Sequence, residues 1–227
     1  MRFAALALLV SVACDAAPRV YDRACAVASR RSTRGGVYCS TGATCASAPA
    51  ACTPGVENLL KYSEVFSTAG SSSNWTASQS GGGPNVAVVT DNYAIGPDCV
   101  TQNAARVQIL AQDPASYSLR AQALATNTLS CGLWVKGNLG TSGNIHLWVT
   151  SSGLNACVVC AFTGAWTRCK QENTLIAAGT FYFGSDPADC GGGATAAIDV
   201  LVADAQCNTG ATLSGYIKTT TAAATCP

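Results

Sequence analysis

From residue 57 onward, apolar positions fall in short runs: 86–89, 105–110, 117–121, 129–136, 144–150, 156–162, 166–170, 180–183 and 196–202. Between them lie Gly81-Gly82-Gly83-Pro84, Gly96-Pro97-Asp98, Asp113-Pro114, Gly137-Asn138, Ser151-Ser152-Gly153, Thr163-Gly164 and Gly191-Gly192-Gly193. Runs of about 4–8 residues, with a turn signal every 8–12 or so, predict the strands of a sandwich or closed barrel. No run alternates with a long helical pattern, which argues against a parallel sheet with crossover helices. No repeat of intermediate length is present.

Side chains alternate across a strand, so each run also predicts two faces. In 144–149, Ile145, Leu147 and Val149 share one face, and His146 and Trp148 the other. In 131–136, Cys131, Leu133 and Val135 share a face, opposite Trp134 and Lys136. With the aliphatic faces in the core, Trp134, Trp148, His146 and Lys136 project outward. Tyr182 joins them if Phe181 and Phe183 fill the core. A sugar presents flat C–H faces ringed by hydroxyls, so a saccharide site needs aromatic planes beside polar groups. Trp134 and Trp148, with Asn144, His146 and Lys136, meet that need. The same tryptophans equally suit a second cluster covered by a loop or by the N-terminal segment.

The start of the chain reads differently. Met1-Arg2, an apolar run over 3–10 and then Ser11-Val12-Ala13 predict a signal peptide over 1–13. The run is too short for a membrane span, which needs roughly 20 residues. Small residues directly before Cys14 resemble a lipobox, with Ser11 where Leu is usual. Beyond Cys14 there are twelve cysteines: Cys25, Cys39, Cys45, Cys52, Cys99, Cys131, Cys157, Cys160, Cys169, Cys190, Cys207 and Cys226. An exported chain pairs its thiols, and lipidation of Cys14 accounts for the odd one. Ordinary cleavage after Ala13 or Ala16 is the alternative.

Residues 14–56 read as a tether, with five arginines against Asp15 and Asp22, a balance of +3. From Glu57 seven Lys or Arg stand against ten Asp or Glu, a balance of −3. A basic stalk beside an acylated Cys would sit against anionic headgroups, giving a membrane partner through a lipid anchor. A solvated linker is the plainer reading. Over the whole chain the net charge is +1, and charged residues are 11%, against about 25% in a typical domain. Strong nucleic-acid binding driven by overall charge is excluded.

Little in the chain suggests catalysis. There is no Gly-x-Ser-x-Gly elbow, and His146 is the one histidine. Asp186 and Asp189 bracket Pro187-Ala188 and read as turn formers. Cys157 and Cys160 have redox-motif spacing but lie in an apolar run, where that spacing puts their sulfurs on opposite faces. They are expected in separate bridges, one of them reaching Cys169 across the Thr163-Gly164 turn. The four tether cysteines and the eight domain cysteines were grouped separately for pairing, and the connectivity stays open. Asn74-Trp75-Thr76 is a formal glycosylation sequon, of little weight beside a bacterial-type export segment.

One resemblance emerges from these pieces. Asn58-Leu59-Leu60-Lys61-Tyr62-Ser63-Glu64-Val65-Phe66, followed by Trp75-Thr76, resembles the opening of β-jelly-roll domains of phage tail and bacterial surface proteins. Leu133-Trp134-Val135-Lys136 is similar to their central strand, and Trp166-Thr167-Arg168 to another. Ala203-Asp204-Ala205-Gln206, Gly210, Ala211 and Tyr216-Ile217-Lys218-Thr219 are similar to their closing elements. The chain is also distantly similar to galactose-binding-like carbohydrate-binding modules. The resemblance implies an all-β, two-sheet antiparallel jelly-roll sandwich over 57–227. It implies binding of glycan or polysaccharide without catalysis. It also implies a structural calcium, for which Glu64 and Asp199 stand at comparable places. The expectation is an exported, lipid-anchored glycan-binding surface protein. An adhesive scaffold for a protein partner and a polysaccharide hydrolase or lyase are the alternatives.

Overall fold

The computed structural model describes residues 52–67, 75–80, 86–124, 127–151, 154–176, 179–187, 190, 195–220 and 222–226. All fall within one compact unit, Gly42–Pro227. The signal peptide, Cys14, and Cys25, Cys39 and Cys45 of the tether lie outside the described residues. No described helix is long and apolar enough to cross a membrane.

The strands are β1 (Glu57–Asn58), β2 (Thr76–Ser80), β3 (Val88–Ala94), β4 (Ala104–Ile109), β5 (Tyr117–Leu124) and β6 (Asn127–Gly137). They continue with β7 (Gly143–Ser151), β8 (Leu154–Phe162), β9 (Thr167–Ile176), β10 (Gly179–Ser185), β11 (Ile198–Thr209) and β12 (Ala224–Thr225). Two five-stranded sheets form, here called sheet I (order β2-β5-β10-β7-β8) and sheet II (order β3-β4-β11-β6-β9). Every pairing is antiparallel. The chain passes repeatedly from one sheet to the other, so long-range neighbours such as β4 and β11 pair. This is the two-sheet jelly-roll sandwich expected from the sequence. Each of the nine runs read there overlaps a strand, and most of the strands, β9 and β11 foremost, extend beyond theirs.

The inner faces make the core. Ile145, Leu147 and Val149 of β7 and Phe181 and Phe183 of β10 come from sheet I. Leu133 and Val135 of β6 and Val200 and Val202 of β11 come from sheet II, and all nine are at most 1% exposed. Trp75 closes one end, its ring 5.2 Å from Phe66 and 5.3 Å from Phe183. One core-facing position of β5 is charged: Arg120, opposite Phe183 in register. Its Nη2 donates to the Ala87 carbonyl at 2.6 Å, and burial lowers its pKa.

Four disulfides are placed among the described cysteines. Cys160–Cys169 joins β8 to β9 and so links the two sheets across the Thr163-Gly164 turn, as the spacing suggested. Cys157, three residues before it, points the other way and bridges to Cys190. Cys131–Cys207 joins neighbouring core positions of β6 and β11. Cys52–Cys226 departs from the grouping read in the sequence, because it couples a tether cysteine to a domain cysteine. The backbone explains this departure. Gly55 N–H donates to the Cys226 carbonyl and Cys226 N–H to the Val56 carbonyl, beside the β1–β12 pair. The end of the expected tether is therefore stitched into the sandwich. Cys99 is disulfide-bonded as well.

Candidate functional site: two outer faces

The six residues expected to bind ligand do not share a surface. Trp148, His146, Asn144 and Tyr182 belong to sheet I. Trp134 and Lys136 belong to sheet II. The sequence reading placed Trp134 and Trp148 together because both alternate outward from an aliphatic core. Strands β6 and β7 are consecutive in the chain but lie in opposite sheets, so outward from one is directly away from the other.

On sheet I two of the outward residues, Trp148 and His146, are buried. Trp148 and Tyr182 are register partners on β7 and β10, and their rings stack at 4.8 Å with 22° between planes. Trp148 is 3% exposed and His146 5%. Chain following β10 lies against them: Asp186 N–H donates to Nδ1 of His146 at 2.7 Å. Nearby, Cys190 is bonded to Cys157, the register partner of Trp148. Burial lowers the His146 pKa. A bare Nδ1 accepting a hydrogen bond fits the neutral ring, with its proton on Nε2. Only Asn144 of this group is exposed.

On sheet II the outward residues include charges and are more open: Trp134, Lys136 and Arg168 are half-buried, although Trp166 is only 8% exposed. Trp134 lies between Ala203 of β11 and Arg168 of β9 in register. Lys136, two residues on, lies opposite Leu201. Trp134 and Trp166 pack over Ala104, Leu201 and Ala203, a small apolar patch on the outside of the sheet. Each ring has a cation close by. The Arg168 guanidinium is 5.5 Å from the Trp134 ring centre and Lys136 Nζ is 6.0 Å from that of Trp166. A third pair sits two strands away, where Arg106 lies 5.3 Å from Tyr93. A bulge makes that contact: between Thr90 and Ala94, β3 spends four residues where β4 spends two, with Asn92 at φ 52°. All three cation–π contacts among the described residues lie on this face. Tyr93 is 42% exposed. The sequence search singled out neither Tyr93 nor Arg106, because nothing in a polar β3 segment signals a bulge.

A buried polar cluster adjoins Trp134. A second bulge, between Ala203 and Gln206, holds Asp204 at φ 52°. Asn103 Nδ2 donates to Asp204 Oδ1 at 2.8 Å and to Glu64 Oε1 at 3.1 Å, bridging two buried carboxyls. Tyr216 Oη donates to Glu64 Oε1 at 3.1 Å, and Lys218 pairs with Glu64. Burial, and then the Glu64 charge, push Asp204 up to about 7. Burial brings Arg168 down to about 10, so it stays cationic at neutral pH. Its Nε and Nη2, and Nε1 of Trp134, are shut off from water without a hydrogen-bond partner.

Glu64 and Asp199, the residues named for calcium, have separate partners. Both Asp199 oxygens accept from Arg106, at 2.8 and 2.6 Å, and from Asn138 at 3.2 Å. The described residues contain no group of three or more His, Cys, Asp or Glu arranged to hold a metal. Asp199 also borders a cleft of about 470 Å³ at one end of the sandwich, with Val86, Val88, Leu110 and Thr141 on its walls.

No family model matches the chain, and no curated protein matches it. Its neighbours among solved structures are carbohydrate-binding modules and a phage tailspike domain. The TmCBM61 module, solved with β-1,4-galactotriose, is 17% identical over 66% of this chain and 97% of its own, with a TM-score of 0.39. The CBM22-1 xylan-binding domain of Paenibacillus barcinonensis Xyn10C is 16% identical over 72% and 100%, with a TM-score of 0.40. The enzymatically active domain of bacteriophage CBA120 tailspike protein 4 is 12% identical over 68% of this chain and 21% of that one, with a TM-score of 0.38.

Proposed function

We propose that this domain binds glycan without catalysis, and that the outer face of sheet II is the binding surface. The observation that carries the reading is the set of three aromatic rings on that one face, each held beside a cation: Tyr93 with Arg106, Trp166 with Lys136, Trp134 with Arg168. Strands lie about 4.8 Å apart. Arg106 and Lys136 flank Leu201 in one row, so the outer pairs stand about 10 Å apart, room for roughly two sugar rings. Apolar ring faces suit sugar C–H groups, and the cations supply donors for hydroxyl oxygens. Trp148 at 3% exposed and Trp166 at 8% offer no stacking plane, so Trp134 and Tyr93 are the rings that stack and Trp166 serves to hold Lys136. Tyr182 is set aside because its ring is stacked on Trp148.

Affinity electrophoresis of the purified chain through gels containing a panel of polysaccharides tests this. Retardation by at least one is expected, and Trp134→Ala should abolish it with the fold intact by circular dichroism. Absence of retardation by any of them sinks the proposal.

A hydrolase or lyase reading has one observation in its favour. Glu64 and Asp204 are two carboxyls bridged by one amide, with Tyr216, Lys218 and Arg168 nearby and Asp204 at about 7. General acid–base chemistry on sugars uses such carboxyl pairs. Both are buried, however, and Glu64 is already engaged by Lys218 and Tyr216. Release of reducing ends or unsaturated sugars from the same panel would establish it.

Export is supported by the disulfides, which form in oxidising compartments. Anchoring through an acylated Cys14 is the accompanying proposal. Intact-mass analysis of the mature protein tests it, and an unmodified N-terminus would remove it.

A further inference from the structure

We infer that the sheet II face selects a carboxylated polysaccharide, one built with uronic acid units, over a neutral one. This rests on the glycan-binding reading and goes further, by naming the chemistry of the ligand.

The argument starts from which charges are already satisfied. On this face and its margins, Arg106 is spent on Asp199 through two hydrogen bonds. Lys170 is spent on Glu172 at 2.8 Å, and Lys218 on Glu64. Lys136 and Arg168 remain, and neither has an ion pair among the described residues. Their positions make them a pair. Arg168 is the register partner of Trp134, and Lys136 is two residues along β6 from that tryptophan. Such diagonal neighbours lie about 7–8 Å apart across antiparallel strands. Two like charges carried on neighbouring positions repel, and an anion placed between them relieves the repulsion.

The acid groups that face them do not cancel them. Asp204 is the carboxyl acting most strongly on Arg168, yet it is held partly protonated near neutral pH by its burial and by Glu64. The setting makes the contrast sharper, because the chain from Glu57 onward carries a balance of −3. A cationic spot on an acidic domain attracts an anion at close range, against the net charge of the domain.

The donors narrow the class further. Lysine and arginine offer only donors and no acceptor. A neutral sugar hydroxyl both gives and takes, and its donor would go unused here. A carboxylate only accepts. The two cations are also few: a sulfated chain carries a dense row of charge and calls for a dense row of cations, which this face lacks. The half-buried Trp134 beside Lys136 and Arg168, two cations without ion pairs among the described residues, of which Arg168 has Nε and Nη2 shut off from water, fits a sugar ring bearing one carboxylate.

The test compares polygalacturonate, neutral galactan and dextran sulfate in affinity gels, using the full chain and Lys136→Glu. Lys136 is a half-buried surface residue, so its reversal leaves the core untouched. We expect retardation by polygalacturonate that falls at least tenfold in Lys136→Glu and weakens as salt is raised. Equal retardation by galactan, unchanged in Lys136→Glu, overturns the selectivity and leaves glycan binding standing. Preference for dextran sulfate overturns the choice of carboxylate. No retardation by any of the three overturns both this inference and the glycan reading beneath it.

Discussion

The sandwich presents two outer faces made from similar residues, and they have met opposite fates. Sheet I offers Trp148, Tyr182 and His146. Sheet II offers Trp134, Trp166, Tyr93 and three cations. On sheet I two residues after β10 are fastened to the outer face, Asp186 bonded to His146 and Cys190 to Cys157. The result is a second, neutral, packed layer. On sheet II Trp134 and Trp166 rest on alanines and Leu201, each ring keeps a cation over it, and Tyr93 stays 42% exposed. Outward alternation therefore says only that a side chain has left the main core. Whether it becomes packing or surface depends on what the connecting chain brings over it.

The largest test of this contrast removes one tryptophan from each face. Trp148→Ala should cost about 3–5 kcal/mol, the usual range for deleting a buried aromatic. Glycan binding should survive in the folded fraction. Trp134→Ala should cost roughly 1–2 kcal/mol, since its ring is half-buried, and should abolish binding. Urea denaturation with parallel affinity gels reads both. If Trp148→Ala loses binding while staying folded, the assignment of faces is wrong.

A smaller effect should come from Asp204, at the margin of the open face. Its carboxyl is raised from the ordinary aspartate value to about 7 in the folded protein, first by burial and then by Glu64. The folded state thus holds a proton that the unfolded state releases. Between about pH 4 and 7 stability falls as pH rises, by up to roughly 1.4 kcal/mol per unit from this group. Above about pH 7 the slope from this group disappears. Asp204→Asn keeps an acceptor for Asn103 and tolerates the positive φ, so it should flatten this slope and raise the melting temperature at pH 8. Thermal melts of both proteins from pH 4 to 8 check it, and parallel slopes would show that Asp204 does not hold the proton.

Much of the fold was legible because the sandwich rests on two local signals: strict alternation and turn chemistry. Ile145, Leu147 and Val149 could only face inward together, and Thr163-Gly164 could only be a corner. The missed strands are those without the signal. β2 is Thr-Ala-Ser-Gln-Ser, polar and at a sheet edge, and β1 and β12 are two residues each. The candidate surface was partly legible. Trp134 and Lys136 were found by alternation, whereas Trp148 was found by the same rule and proved buried. Sheet membership is a long-range property, fixed by which strands pair, and β6 and β7 do not pair. Tyr93 and Asp204 were hidden for another reason. Each depends on a bulge, which shifts alternation by an amount no short pattern reveals.

The finest distinction concerns the Arg106–Asp199 pair, at the Tyr93 end of the open face. Their side chains are 25% and 29% exposed, so solvent screens them and the pair should contribute at most about 1 kcal/mol. The Arg106 hydrogen bonds hold Asp199 below the ordinary aspartate range. The contribution is therefore present above about pH 4 and is lost as pH falls through the lowered value. Arg106→Gln should remove that acid-side loss while barely changing stability at pH 7. It should also deprive the Tyr93 ring of its cation and weaken glycan retardation by only a few-fold, because Trp134 and Trp166 keep theirs. A double-mutant cycle with Tyr93→Ala measures the coupling. Additive effects on binding would mean that Arg106 serves Asp199 alone, and that the binding surface ends at Leu201 rather than reaching the edge of the sheet.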